Sequence, residues 1–293
     1  MPATAFLLLF FVLQSSPREQ ADSLFAAGQY ARAAAQYLDL LQEAPKDQWL
    51  MEAAGVALLR AGRPREAAPL FQRELALGPG NRPAKRWLAT AFQEGGAFDP
   101  AYSLLQELTR SDPKDAQSWY LLGLLMYHAG YYTAAVSDLE SALQLGLPAE
   151  HGDRSRAEIT RAVALAQAGR SEAEPILREL AARPDGASNL DVRLSLVRVE
   201  YEAGRYDAAL EQSQKAAALS DSNSAVHFWR ARIFQALRKS PEALVEAERS
   251  RDLAPESPSP RNLLVRLYRA AGRPADAARE AEWLRQREGE KQP

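Results

Sequence analysis

Eight turn signals recur along this chain at almost one fixed interval, and that interval limits the fold more than any other feature. Gly28, Gly62, Gly96 and Gly130 stand 34 residues apart. Gly169 follows at 39 and Gly204 at 35; Arg238 holds the next place at 34, and Gly272 comes 34 later. Pro45, Pro79, Pro113 and Pro148 form a second series, spaced 34, 34 and 35. Two independent markers with one period specify a repeated structural unit.

Glycine near the end of an apolar-periodic stretch stops a helix in the left-handed region, where a Cβ would clash. A second stretch then begins two to four residues on. Pro64 and Pro274 sit where a first-turn proline is tolerated, because its missing N–H would have no helical partner. The later prolines of the early units end the second helix. The spacing therefore predicts helical hairpins that are marginal alone and stable when stacked. Small residues mark the close crossings. Five past each turn stand Ala33, Ala67, Ala101, Ala135, Ala209, Ala243 and Ala277. Nine past it in the first four units stand Tyr37, Phe71, Leu105 and Leu139, and seven before it Ala21, Gly55, Ala89 and Gly123. A large group opposite a small one fills the space between helices.

This pattern resembles the tetratricopeptide repeat family. Trp119, Leu122, Gly123, Tyr132, Ala135, Leu139 and Ala142 stand at the family's signature positions. The resemblance implies an all-α, right-handed superhelical solenoid of about eight helix-turn-helix units. Units one to four span 17–149 and units five to eight 150–288, followed by a polar tail, 289–293. The fifth unit departs from the pattern: its leading loop is longer, and its turn is one residue short between Gly169 and Ala173. Ser155 and Glu158 are expected to form a capping box there, and the unit is expected to kink the array. Arg279, Glu280, Arg285 and Glu288 make the last helix polar, so it is expected to cap the stack. Trp283 and Leu284 on the same helix offer an alternative assembly face.

The chemistry of catalysis is missing from the pattern. No cysteine is present, which excludes disulfides and thiolate chemistry. His128, His151 and His227 include no pair four apart, so no zinc-protease helix is encoded. No nucleophile elbow, phosphate loop or dinucleotide fingerprint occurs. The expectation is a non-enzymatic protein with no cofactor and no metal. The 36 basic and 38 acidic residues leave a net charge of −2, which supplies no field for nucleic acid.

The apolar run 5–13 is nine residues long, too short to span a bilayer and suited to the core of a secretory signal. A signal peptide over 1–16 is expected, cleaved after Ser15 or Ser16, with an exported and periplasmic protein as the result. The alternative is a short hydrophobic helix capping the first repeat of a cytoplasmic one.

The resemblance also implies a groove lined by the first helix of each unit, at positions ten, six and three before the turn. In unit four these are Tyr120, Leu124 and Tyr127; in unit six Leu194, Arg198 and Tyr201. Unit seven contributes Phe228 and Arg232, and unit eight Asn262, Arg266 and Arg269. Arginines one repeat apart suit an acidic peptide segment or a C-terminal carboxylate, since guanidinium and carboxylate pair bidentately. The competing reading pairs these arginines with nearby Glu200 and Glu202. The expected function is a scaffold for protein–protein interaction in the cell envelope. The alternative is a self-assembling homo-oligomer stacked through its terminal repeats.

Overall fold

The computed structural model describes residues 16–147 and 153–289. The signal-like segment, Pro148, His151 and the tail beyond Gly289 lie outside the described residues. Two compact units divide between Ala129 and Gly130, whereas the sequence placed a boundary at 149/150.

The first unit holds α1 (Pro17–Ala26), α2 (Tyr30–Glu43), α3 (Gln48–Arg60), α4 (Pro64–Leu77), α5 (Arg82–Glu94), α6 (Phe98–Ser111) and α7 (Ala116–His128). The second holds α8 (Tyr132–Leu145), α9 (Asp153–Gln167), α10 (Ala173–Ala182), α11 (Pro184–Ala187), α12 (Leu190–Glu202), α13 (Tyr206–Leu219), α14 (Ser224–Ala236), α15 (Ser240–Leu253), α16 (Pro258–Ala270) and α17 (Pro274–Gly289). No strand occurs among the described residues. In the first unit each helix packs on the next, and the first helices of successive repeats, α3, α5 and α7, also touch directly. In the second unit α9, α12 and α14 make the equivalent row. The architecture is an all-α helical-repeat solenoid.

The turns show why the period is so regular. Gly62 has φ +73°, and the N–H of Arg63 reaches back to the Leu58 carbonyl at 2.9 Å. This six-to-one bond satisfies a carbonyl that the helix end leaves free. Arg238 adopts the same conformation with φ 58°, and Lys239 makes the same bond to Phe234 at 2.8 Å. The turn therefore survives without glycine.

A third periodic marker runs through the helix starts. Asp47, Asn81 and Asp115 cap α3, α5 and α7, each accepting a backbone N–H three residues on at 3.1–3.2 Å. Asn189 does the same for α12, and Asn223 caps α14 by accepting the N–H of Ala225, two residues on, at 2.9 Å. These short side chains satisfy a donor at the helix start.

The small residues are packed where the periodicity placed them. Ala33, Ala67, Ala101, Ala135, Ala209 and Ala243 are fully buried, as are Phe71, Leu105 and Leu139. Gly55 faces Phe71 so closely that a Cβ there would lie 2.5 Å from the ring.

The fifth repeat differs from expectation in two ways. Helix α9 begins at Asp153, ahead of Ser155, and no capping box forms from Ser155 and Glu158. Ser155 instead donates to Asp185, while Glu158 pairs with Arg154 and Arg183. The turn after Gly169 is longer rather than shorter. Residues 171–172 form an extra turn, and Ala173 opens α10, still fully buried. Helix α10 is correspondingly short, ten residues, and the four-residue α11 follows it.

The last helix is not uniformly polar. Glu280 is buried and bridges Arg251 at 2.9 Å and Arg261 at 2.6 Å, whereas Arg279 and Arg285 are exposed. The Glu288 side chain lies outside the described set. Trp283 is covered by the Arg261 guanidinium, 4.1 Å from its ring, with Arg287 at 5.3 Å. Its ring is thus engaged within its own repeat.

Candidate functional site

The first helices of the second unit carry the expected groove residues, and the structure treats the three arginines differently. Arg198 on α12 is held within its own unit. It donates to Glu202 at 2.8 Å and to Gln167 of α9. The intramolecular reading applies to this arginine. Glu200, on the other side of α12, is buried and pairs with Arg178 and Arg205.

Arg232 on α14 has a different environment. Its guanidinium lies 4.5 Å from the Tyr201 ring, 4.7 Å from Trp229 and 5.9 Å from Phe228. Tyr201 and Trp229 are themselves 5.6 Å apart, edge to face, and Tyr206 adjoins Tyr201 at 5.4 Å. Ring faces attract the cation. They offer no acceptor comparable to a carboxylate, and no ion pair to Arg232 occurs among the described residues. Tyr201, Phe228 and Arg232 are therefore brought together. Trp229 and Tyr206 belong to the cluster too. Neither stands at an offset of ten, six or three before a turn, so the rule that found their neighbours passed over them.

On α16, Asn262, Arg266 and Arg269 are exposed. Arg266 and Arg269 have no ion pair among the described residues. Leu194 is half-buried on α12. In the first unit Tyr120 is only 2% exposed and belongs to the core of α7 rather than to a lining surface. Leu124 and Tyr127 are half-buried, and Tyr127 meets the His128 ring at 5.5 Å.

His227 has partners that the sequence did not reveal. It is buried on α14, with Nδ1 2.7 Å from a Glu246 oxygen and Nε2 2.7 Å from the Asp221 carbonyl. Arg230 binds the other Glu246 oxygen at 2.8 Å. This network ties α14 to α15 and is structural. No group of three metal-ligating side chains occurs among the described residues, and no described helix is long and apolar enough to cross a membrane.

Stacked helical hairpins presenting a row of first helices define a helical-repeat scaffold of the kind that mediates protein–protein contacts. Tetratricopeptide repeat models match residues 18–82, 58–125 and 194–258. The chain belongs to the tetratricopeptide repeat family. Over 126 residues it is 27% identical to superkiller protein 3 of Schizosaccharomyces pombe, covering 41% of this chain and 9% of that protein. The chain thus spans a small fraction of that relative's length. A tetratricopeptide repeat protein from Parabacteroides merdae superposes with a TM-score of 0.62 at 18% identity, covering 86% of this chain and 96% of the other. A chain of the APC/C hetero-tetramer Cut9–Hcn1 gives 0.66 at 18% identity, covering 85% of this chain and 48% of that one. At these identities the likeness concerns the fold.

Proposed function

We propose that the protein is a non-enzymatic scaffold that captures an acidic segment or C-terminal carboxylate of a partner on the second unit. The observation that carries this reading is Arg232, braced on Tyr201, Phe228 and Trp229 without a carboxylate of its own. A guanidinium held among aromatic rings keeps its N–H groups available for a bidentate acceptor. Aromatic neighbours add rigid apolar contact beside the charge. Arg266 on α16 supplies a further cation with no ion pair among the described residues. The assembly of Cut9 with Hcn1 is consistent with a partner protein as the ligand. The apolar run 5–13 supports an exported, periplasmic location, which cell fractionation with N-terminal sequencing would test.

The direct test is titration with an acidic peptide and its glutamine-substituted counterpart. Arg232→Gln and Arg266→Gln should each weaken the acidic peptide by about tenfold, the loss of roughly one charge-assisted contact. Arg198→Gln should change affinity little, because that arginine is already satisfied. Equal binding of both peptides would remove the reading.

A further inference from the structure

The first unit contains a pocket of about 270 Å³ that the proposed function leaves unused. Phe25 of α1, Tyr37 of α2, Trp49, Glu52 and Val56 of α3, and Trp87 of α5 line it. The walls are aromatic and the single charged wall residue is acidic. Its volume lies below that of a typical drug-sized site and suits one long side chain.

Glu52 accepts the Trp87 indole N–H at 3.2 Å and has no ion pair among the described residues. Its charge also bears on Glu74, a buried carboxyl held up at about 7, first by burial and then by Glu52. Glu52 thus lacks a paired cation among the described residues, and the aromatic rings beside it attract one through their faces. The protein itself illustrates this chemistry at the rim. The Arg18 guanidinium lies 3.4 Å from the centre of the Trp49 ring. Trp49 nevertheless remains 39% exposed, unusually open for so large an apolar group.

We propose that this pocket binds a lysine or arginine side chain of a partner protein segment, its stem over the Trp87 ring and its charged head against Glu52. The site has the opposite charge preference from the Arg232 cluster and lies in the other compact unit, so it stands without the preceding reading.

The test uses the full chain and follows the Trp87 indole N–H by two-dimensional NMR. The probes are blocked peptides with a central lysine, arginine or norleucine, and choline as a free cation. The lysine and arginine peptides should give saturable shifts, with norleucine at least about tenfold weaker. Glu52→Gln keeps an acceptor for Trp87 and removes the charge; it should weaken the lysine peptide to a similar extent with unchanged circular dichroism. Arg232→Gln should leave this titration unaltered. Norleucine binding as tightly as lysine, or full affinity in Glu52→Gln, would overturn the proposal. Choline binding more tightly than the lysine peptide would overturn the protein segment as its source.

Discussion

At the scale of single residues, Glu74 is the least comfortable group in the first unit. One carboxyl oxygen accepts from Asn81 at 2.6 Å; the other is buried without a hydrogen bond among the described residues. Burial and the Glu52 charge raise its pKa from 4.5 to about 7. The folded state then holds this proton more tightly than the unfolded chain, so stability falls as pH rises between those two values. Glu74→Gln should flatten that slope and stabilise the protein at pH above 7 by on the order of 2 kcal/mol, checked by denaturant midpoints across pH. Some residue roles were legible in the sequence and others were not. The turn glycines and buried alanines depend on local conformation and a fixed register, which a period displays. Arg198 is different: its partner Gln167 lies 31 positions away, on a neighbouring first helix. Glu280 also looked like a surface charge because its two arginine partners come from other helices, α15 and α16. Pairing across helices has no signature in local pattern.

At the scale of helices, the contact of α3 with α4 rests on shape. Gly55 lets the Phe71 ring approach to a distance no side chain would permit. Gly55→Ala should therefore cost about 1–3 kcal/mol through overpacking, although alanine is the better helix former. Phe71→Leu should recover part of that loss in the double variant, and a thermal-unfolding mutant cycle would measure the coupling. If Gly55→Ala were stabilising, helix propensity would outweigh the crossing. The fifth repeat shows the limit of reading elements from spacing. The count between Gly169 and Ala173 suggested a tight turn, yet α10 starts late and α11 completes the length. The buried position of Ala173 was kept, while the backbone route to it was not.

At the scale of the molecule, repeats that touch only their neighbours make stability nearly local. Gly55→Ala should speed hydrogen exchange in helices α2 to α5 and leave α12 to α17 close to the parent rates, as mass spectrometry of peptic fragments would show. Uniform acceleration across both compact units would mean a single cooperative body. The same locality affects how binding specificity can change. Arg198 occupies the groove position one repeat before Arg232 but is neutralised by Glu202 on its own helix. It is a contact held in reserve. On the proposed reading of the groove, exchanging one exposed glutamate would release a further cation one repeat from Arg232 and so lengthen the acidic segment bound, without moving a helix. Ligand length would then depend on which charges are paired internally, and it could drift by single surface substitutions while the fold stays the same.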